Sequence, residues 1–197
     1  MRKRVSAGSV LGIPYLLFQI LFIVVPLLVI VYYAFTDGQG QFSAENFLHF
    51  LTNGKAVGTL VYSFAIAAVS TAVCLLIAYP TALALARGGY RKSRVLLMLF
   101  VMPMWINFAL RLTALKEILT VLEGNLAYYP FLNTIIGMTY DFLPFMILPI
   151  YNTIVKIDTS SVEAAMDLGA KRGAVLFRVL LPLSMPGIIS GVTMVFL

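Results

Sequence analysis

The sequence predicts an all-α integral membrane protein, a polytopic helical bundle with five spans visible. Three observations carry this. Hydrophobic residues make up 61% of the 197 positions and charged residues 11%, against about 45–50% and about 25% in soluble domains. Long runs carry no charge at all. The basic residues fall on alternate sides of those runs. Fourteen basic and eight acidic side chains are too few to coat a water-soluble fold of this size, which excludes a soluble enzyme or a disordered chain. The single cysteine, Cys74, excludes an internal disulfide.

The charge-free runs locate the spans. Val5 to Thr36, Ala56 to Ala86, Val95 to Leu110 and Val179 to Leu197 contain no charged residue, and Gly124 to Val155 contains only Asp141. A bilayer core takes about 20 apolar residues per helix. Helices are therefore predicted near 10–34, 60–85, 94–115, 131–155 and 179–197. The first run follows Arg2, Lys3 and Arg4 but exceeds the h-region of a signal peptide, so it reads as a true span. The chain stops inside its fifth apolar run, which reads as a piece of a longer protein.

With the N-terminus in the cytoplasm, the inner segments hold Arg2, Lys3, Arg4, Arg87, Arg91, Lys92, Arg94, Lys156, Lys171, Arg172 and Arg178. The outer segments hold only Lys55, Arg111 and Lys116. That asymmetry is a positive-inside signal. It accounts for the net charge of +6 without nucleic acid. No repeat or flexible linker appears, and residues 1–197 read as one domain.

Catalytic chemistry is not legible. Gly54-Lys55 lacks the upstream glycine and following Ser/Thr of a phosphate-cradling loop. His49 and Cys74 lie in different segments, too few for a structural zinc site. Cys74 reads as a small packing residue.

The segment after the fourth span is more specific. Ser160 and Glu163 fit S-x-x-E, predicting a capping box that starts a short helix. Val162, Ala165, Met166 and Leu168 give it an apolar side, and Gly169 permits the left-handed residue that ends it. A second helix is predicted from about Ala170, carrying Lys171, Arg172 and Arg178, with Pro182 and Pro186 restricting the approach to the last span. The result is a helix–turn–helix at the cytoplasmic surface. Ala164 and Ala165 offer a small face to a partner. An interfacial hairpin lying on lipid has the same pattern.

Glu163-Ala164-Ala165, three residues, Gly169, nine residues, then Val179, Leu181 and Pro182 resemble the signature loop of permease subunits of ATP-binding-cassette importers. The resemblance implies that residues 156–178 are the coupling-helix loop that docks on an ATP-hydrolysing subunit. It names Glu163, Ala164, Ala165, Asp167, Gly169, Leu181 and Pro182 as docking-loop residues. ATP and Mg2+ would be bound by that partner, and this chain would hold no cofactor. Pro103 to Leu119, Gly124-Asn125, Thr139 to Asp158 and Tyr79 to Arg87 look like the first permease subunit of spermidine/putrescine importers. The likeness implies the type I importer permease fold, a second homologous permease subunit and an extracytoplasmic solute-binding protein. It also implies six spans, so a sixth is missing here.

Asp141 is the only acid inside a span and, being costly in lipid, is a candidate for the pathway. A polyamine suits a carboxylate flanked by aromatic faces, so Trp105, Tyr140 and Tyr151 are candidate partners, with Asn107 beside them. Alternatively Asp141 caps a helix broken before Pro144, or pairs with Arg111 or Lys116. Pro144, Pro149 and Pro103 predict bent helices. Leu112, Leu115, Ile118, Leu119 and Leu122 predict an amphipathic outer end of the third span, closed by Gly124-Asn125. Gly187 and Gly191 form a small-x-x-x-small face for close packing.

The reading is a non-enzymatic permease subunit of an ATP-driven importer, moving polyamines across the bacterial cytoplasmic membrane. The rivals are a secondary transporter, which favours more ionisable residues within spans, a membrane-embedded enzyme, a scaffold, and a permease for another small solute.

Overall fold

The computed structural model describes residues 12–36, 40–89, 92–124 and 128–197. Arg2, Lys3, Arg4, Arg91 and Asn125 lie outside the described residues. The described residues form helices joined by short turns, with one isolated antiparallel bridge between Thr36 and Phe42. Contacts divide it into two units, Met1–Val61 and Tyr62–Leu197.

In the first unit, α1 (Ile13–Gln19) runs through a π-helical stretch, Ile20–Val24, into α2 (Val25–Ala34). From Tyr15 to Tyr33 its large apolar side chains are exposed, as suits a surface that faces lipid. The carbonyls at the end of α2 have no partner within the helix. Asn46 of α3 (Glu45–Thr52) supplies one, donating through Nδ2 to Tyr33 O at 3.2 Å and Thr36 O at 3.1 Å. Phe35 stacks on Phe42, with ring centroids 5.6 Å apart.

α4 (Gly54–Arg87) begins in the first unit and continues into the second. The second unit then adds α5 (Ser93–Val101), a 3-10 turn (Met102–Trp105), α6 (Phe108–Glu123) and α7 (Pro130–Lys156). α8 (Thr159–Asp167), α9 (Arg172–Val175), a π-helical stretch (Leu176–Leu180) and α10 (Leu181–Phe196) complete it. Among the described residues four helices are long and apolar enough to span, Pro14–Ala34, Gly54–Arg87, Pro130–Lys156 and Arg172–Phe196, and five if the bent pair around residue 106 is one span.

Two expectations change here. The third span was predicted as one helix over 94–115. Instead it breaks after Trp105 and turns by 97° into α6. Pro103 contributes no N–H, Ile106 is extended, and Asn107 restarts the helix by accepting from Ala109 N at 2.9 Å. The last span was predicted to start near residue 179, after a separate helix. Instead helix is continuous from Arg172 to Phe196. Pro182 has no N–H to offer the carbonyl four residues back, and its ring crowds that carbonyl. The preceding turn relaxes to wider spacing, with Leu181 N–H reaching Leu176 O. The same solution precedes Pro26, where Val25 N–H reaches Ile20 O.

The core of the second unit lies between α4, α7 and α10. Ser70, Cys74, Ala78 and Ala82 recur every four residues on α4, and all four are buried. Small side chains at that spacing let α7 bring Met146, Ile147, Ile150 and Ile154 close. Gly187 and Gly191 do the same for α10, as their spacing predicts. A Cβ on Gly187 would sit 2.7 Å from Pro149 O, and one on Gly191 would sit 2.7 Å from Met146 Sδ. Pro80, Pro144, Pro149 and Pro186 all lie within continuous helix.

Candidate functional site

The helix of the signature loop is capped two residues earlier than the S-x-x-E pattern predicts. Asp158, not Ser160, is the N-cap, and its Oδ1 accepts from Ser160 N at 3.1 Å. Glu163 therefore sits mid-helix and exposed, away from the first turn. Asp158 sits in extended backbone directly after α7 ends, which is the geometry an N-cap needs. The Ser160 amide hydrogen bond, its hydroxyl and the charge of Arg87 hold the Asp158 carboxyl below its ordinary range.

The other end of α8 forms as predicted. Gly169 adopts φ +83°, with Gly169 N donating to Met166 O at 2.9 Å and Ala170 N to Ala165 O at 3.0 Å. These two bonds define a Schellman stop. Only Val162 and Ala165 of α8 turn partly inward. Met166 and Leu168, expected on that apolar side, face out, and Leu168 is 89% exposed. Glu163, Ala164, Asp167 and Leu168 form the outward band. Beside it an open groove of about 770 Å³ runs past Gly169, Ala170, Lys171 and Arg178.

The loop is tied to the bundle at both ends. Arg87, closing α4, donates through Nη2 to Ile157 O just before α8. Leu181 packs partly buried against the core, and its carbonyl accepts from Ser184 Oγ at 3.0 Å, while Ser184 also meets Tyr79 OH at 3.3 Å. Pro182 is exposed and acts through the π-helical stretch before it.

A second site lies between α6 and α7. Arg111 Nη2 and Asp141 Oδ1 are 3.3 Å apart, with side chains 7% and 3% exposed. The distance and angles make this an ion pair rather than an aligned hydrogen bond. Arg111 Nε and Nη1 are buried without a hydrogen-bond acceptor among the described residues. Of the roles open to Asp141, pairing with Arg111 is the one observed. The helix is not broken before Pro144. A cavity of about 320 Å³ adjoins the pair, walled by Phe108, Leu112, Leu115 and Met138, with Lys116 at its edge.

The aromatic candidates are not gathered around Asp141. Trp105 is 85% exposed at the break. Tyr140 faces outward, and Tyr151 is buried in the core about 15 Å further along the helix axis. None of the three lines the cavity, and Asn107 is occupied as the cap of α6. Arg111 and Asp158 carry more of the arrangement than the sequence motif suggests. Arg111 was one of two cations the sequence offered to Asp141, and its place beside the break selects it over Lys116.

Residues 78–197 match the family described as the binding-protein-dependent transport system inner membrane component. The chain belongs to this family. It is 35% identical to a spermidine/putrescine transport system permease protein of Haemophilus influenzae, covering 90% of this chain and 69% of that protein. The Escherichia coli protein of the same name is 36% identical, over 70% of this chain and 55% of its own length. A molybdenum transport system permease protein of Mycobacterium bovis is 29% identical, over 74% of this chain and 59% of its own. The chain thus spans just over half the length of several relatives. Membership makes it a multi-pass membrane component of a transport system of the type I importer permease kind.

Proposed function

We propose that the chain is the permease subunit of an ATP-driven importer of polyamines. The observation that carries this is α8, capped by Asp158, stopped by Gly169 and tied to the spans through Arg87 and Leu181. A rigid outward element bonded to two spans can carry a push from a bound protein into the membrane. The outward band and Leu168 suit docking on an ATP-hydrolysing subunit, which would bind ATP and Mg2+. Solute would arrive on an extracytoplasmic binding protein and cross between this chain and a second permease of similar build. Both units would belong to one permease domain, with the N-terminus in the cytoplasm, as the basic-residue asymmetry supports. The names of the relatives of Haemophilus influenzae and Escherichia coli support spermidine and putrescine as solutes. Asp141 acts here as a positioning residue, because Arg111 already meets its charge.

One observation favours a different solute. The cavity beside Asp141 carries Lys116 as an additional cation, which suits an anion, and one relative is named for molybdenum. ATPase activity of the reconstituted complex, with the cognate binding protein, separates the two. Stimulation by spermidine or putrescine supports the first reading. Stimulation by molybdate, with none by polyamines, replaces it with the second.

A further inference from the structure

Away from the signature loop's outer face, a groove of about 570 Å³ opens where α4 ends and the last span begins. Its two walls are built alike. On α4, Arg87 sits at the rim, with Leu83 one turn and Pro80 two turns into the span. On the last span, Arg172 sits at the rim, with Leu176 and Leu180 one and two turns in. Each wall thus descends about 10–12 Å from a guanidinium into aliphatic surface, at 1.5 Å per residue. α4 ends and the last span starts at this level, so both arginines mark the same membrane surface.

The charges here are only partly met within the protein: Arg87 acts on Asp158 at a distance and bonds Ile157 O, and Arg172 is left outward. Neither arginine has a carboxylate within ion-pair distance among the described residues, where Arg111–Asp141 is the one ion pair found. Arg87 spends one nitrogen on Ile157 O, and its Nε is buried with no acceptor. Asp158, the nearest acid, is engaged by Ser160 N. Arg172 is exposed.

We propose that this groove is a binding site for one anionic phospholipid, with the phosphate between Arg87 and Arg172 and an acyl chain along Leu83, Pro80, Leu176 and Leu180. The chemistry matches in depth as well as in charge. The exposed guanidinium fork of Arg172 and the remaining charge of Arg87 lie at headgroup level, where phosphate contacts form, and apolar walls begin where the hydrocarbon begins. Basic pockets between spans are a known physical solution for holding such headgroups. A free phosphate ion would gain nothing from the aliphatic walls. Because Arg87 also holds Ile157, the bound lipid would brace the start of α8.

The test is native mass spectrometry of the delipidated intact complex, titrated with phosphatidylglycerol or phosphatidylcholine. The anionic lipid should bind about ten-fold more tightly, and Arg172→Gln should weaken it by about five-fold. Leu83→Trp fills the groove with both charges in place and should remove most binding. Lys92→Gln/Arg94→Gln removes charge outside the groove and should bind like wild type. Arg172→Gln and Leu83→Trp carry the test even where Arg87→Gln fails to assemble. Equal affinity for the two lipids, or equal losses in Lys92→Gln/Arg94→Gln and Arg172→Gln, would overturn the site. So would a photocrosslinker at Leu176 that captures a protein subunit in the assembled complex instead of lipid. These outcomes leave the transport reading untouched, since that reading rests on solute-stimulated ATPase activity.

Discussion

Arg111 and Asp141, 3.3 Å apart and both buried, pin the bent half of a broken span against a continuous one. Removing one partner strands the other as a buried charge, which costs about 3–5 kcal/mol, whereas replacing both by apolar residues is often near neutral. Asp141→Leu and Arg111→Leu should each lower the thermal midpoint and assembly of the complex. The double variant should be milder than either. A double variant that loses as much as the two singles combined would contradict a pairing role. One that assembles normally but no longer takes up solute would return Asp141 to the substrate pathway.

The α7–α10 contact makes a graded prediction. A methyl on Gly187 meets the Pro149 carbonyl and Thr153 Cβ, at 2.7 and 2.8 Å. Backbone cannot give way, so Gly187→Ala should cost about 1–3 kcal/mol as overpacking. At Gly191 the nearest atom is the mobile end of Met146. Gly191→Ala should therefore destabilise less, and thermal unfolding of the two purified variants ranks them. Thr153→Ala should not rescue Gly187→Ala, because the Pro149 carbonyl remains.

Gly169 at φ +83° is where a side chain is strained whatever space surrounds it. Gly169→Leu should shift the loop by about 1–2 kcal/mol of backbone strain while the protein still inserts. ATP hydrolysis by the complex should then continue with uptake reduced, read by parallel ATPase and uptake assays. Tight coupling in this variant would count against the transmitting role of α8.

The Asp158 cap gives a pH dependence. Its folded carboxyl lies below the ordinary value of 3.8, chiefly through the Ser160 amide. A depressed carboxylate contributes stability above its unfolded pKa and loses it as pH falls through the folded one. Hydrogen exchange at the start of α8 should therefore stay protected near neutral pH and rise only below 3.8. Asp158→Asn, which keeps an acceptor, should remove the acid sensitivity and keep the helix. Protection that rises between pH 5 and 7 would contradict this cap.

Spans and loop were legible because the signals are long or repeated. Charge-free runs found α2, α4, α7 and α10, and the Gly169 stop follows from what a positive φ requires. The failures are local competitions that periodicity does not show. Ser160 and Asp158 both cap well, and the choice fell to the residue in extended backbone after α7. Pro103 signals a bend but not its angle, which the extended Ile106 and the Asn107 cap fix together. Pro182 was read as a boundary, yet a wider upstream turn absorbs it. The aromatic set around Asp141 rested on chemistry alone, and helix rotation sends Tyr140 and Tyr151 elsewhere. The four-residue stripe of Ser70, Cys74, Ala78 and Ala82 was visible but hidden within a uniformly apolar run.

The central claim is that α8 is gripped by a nucleotide-hydrolysing subunit. Leu168→Cys places a thiol at a side chain that is 89% exposed, while the native Cys74 is fully buried. Crosslinking in the intact complex, with and without ATP, is the most direct measurement. The account predicts capture of the ATPase subunit, with a yield that changes on nucleotide binding. No capture in either state, or labelling of the thiol only from outside the cell, would contradict it.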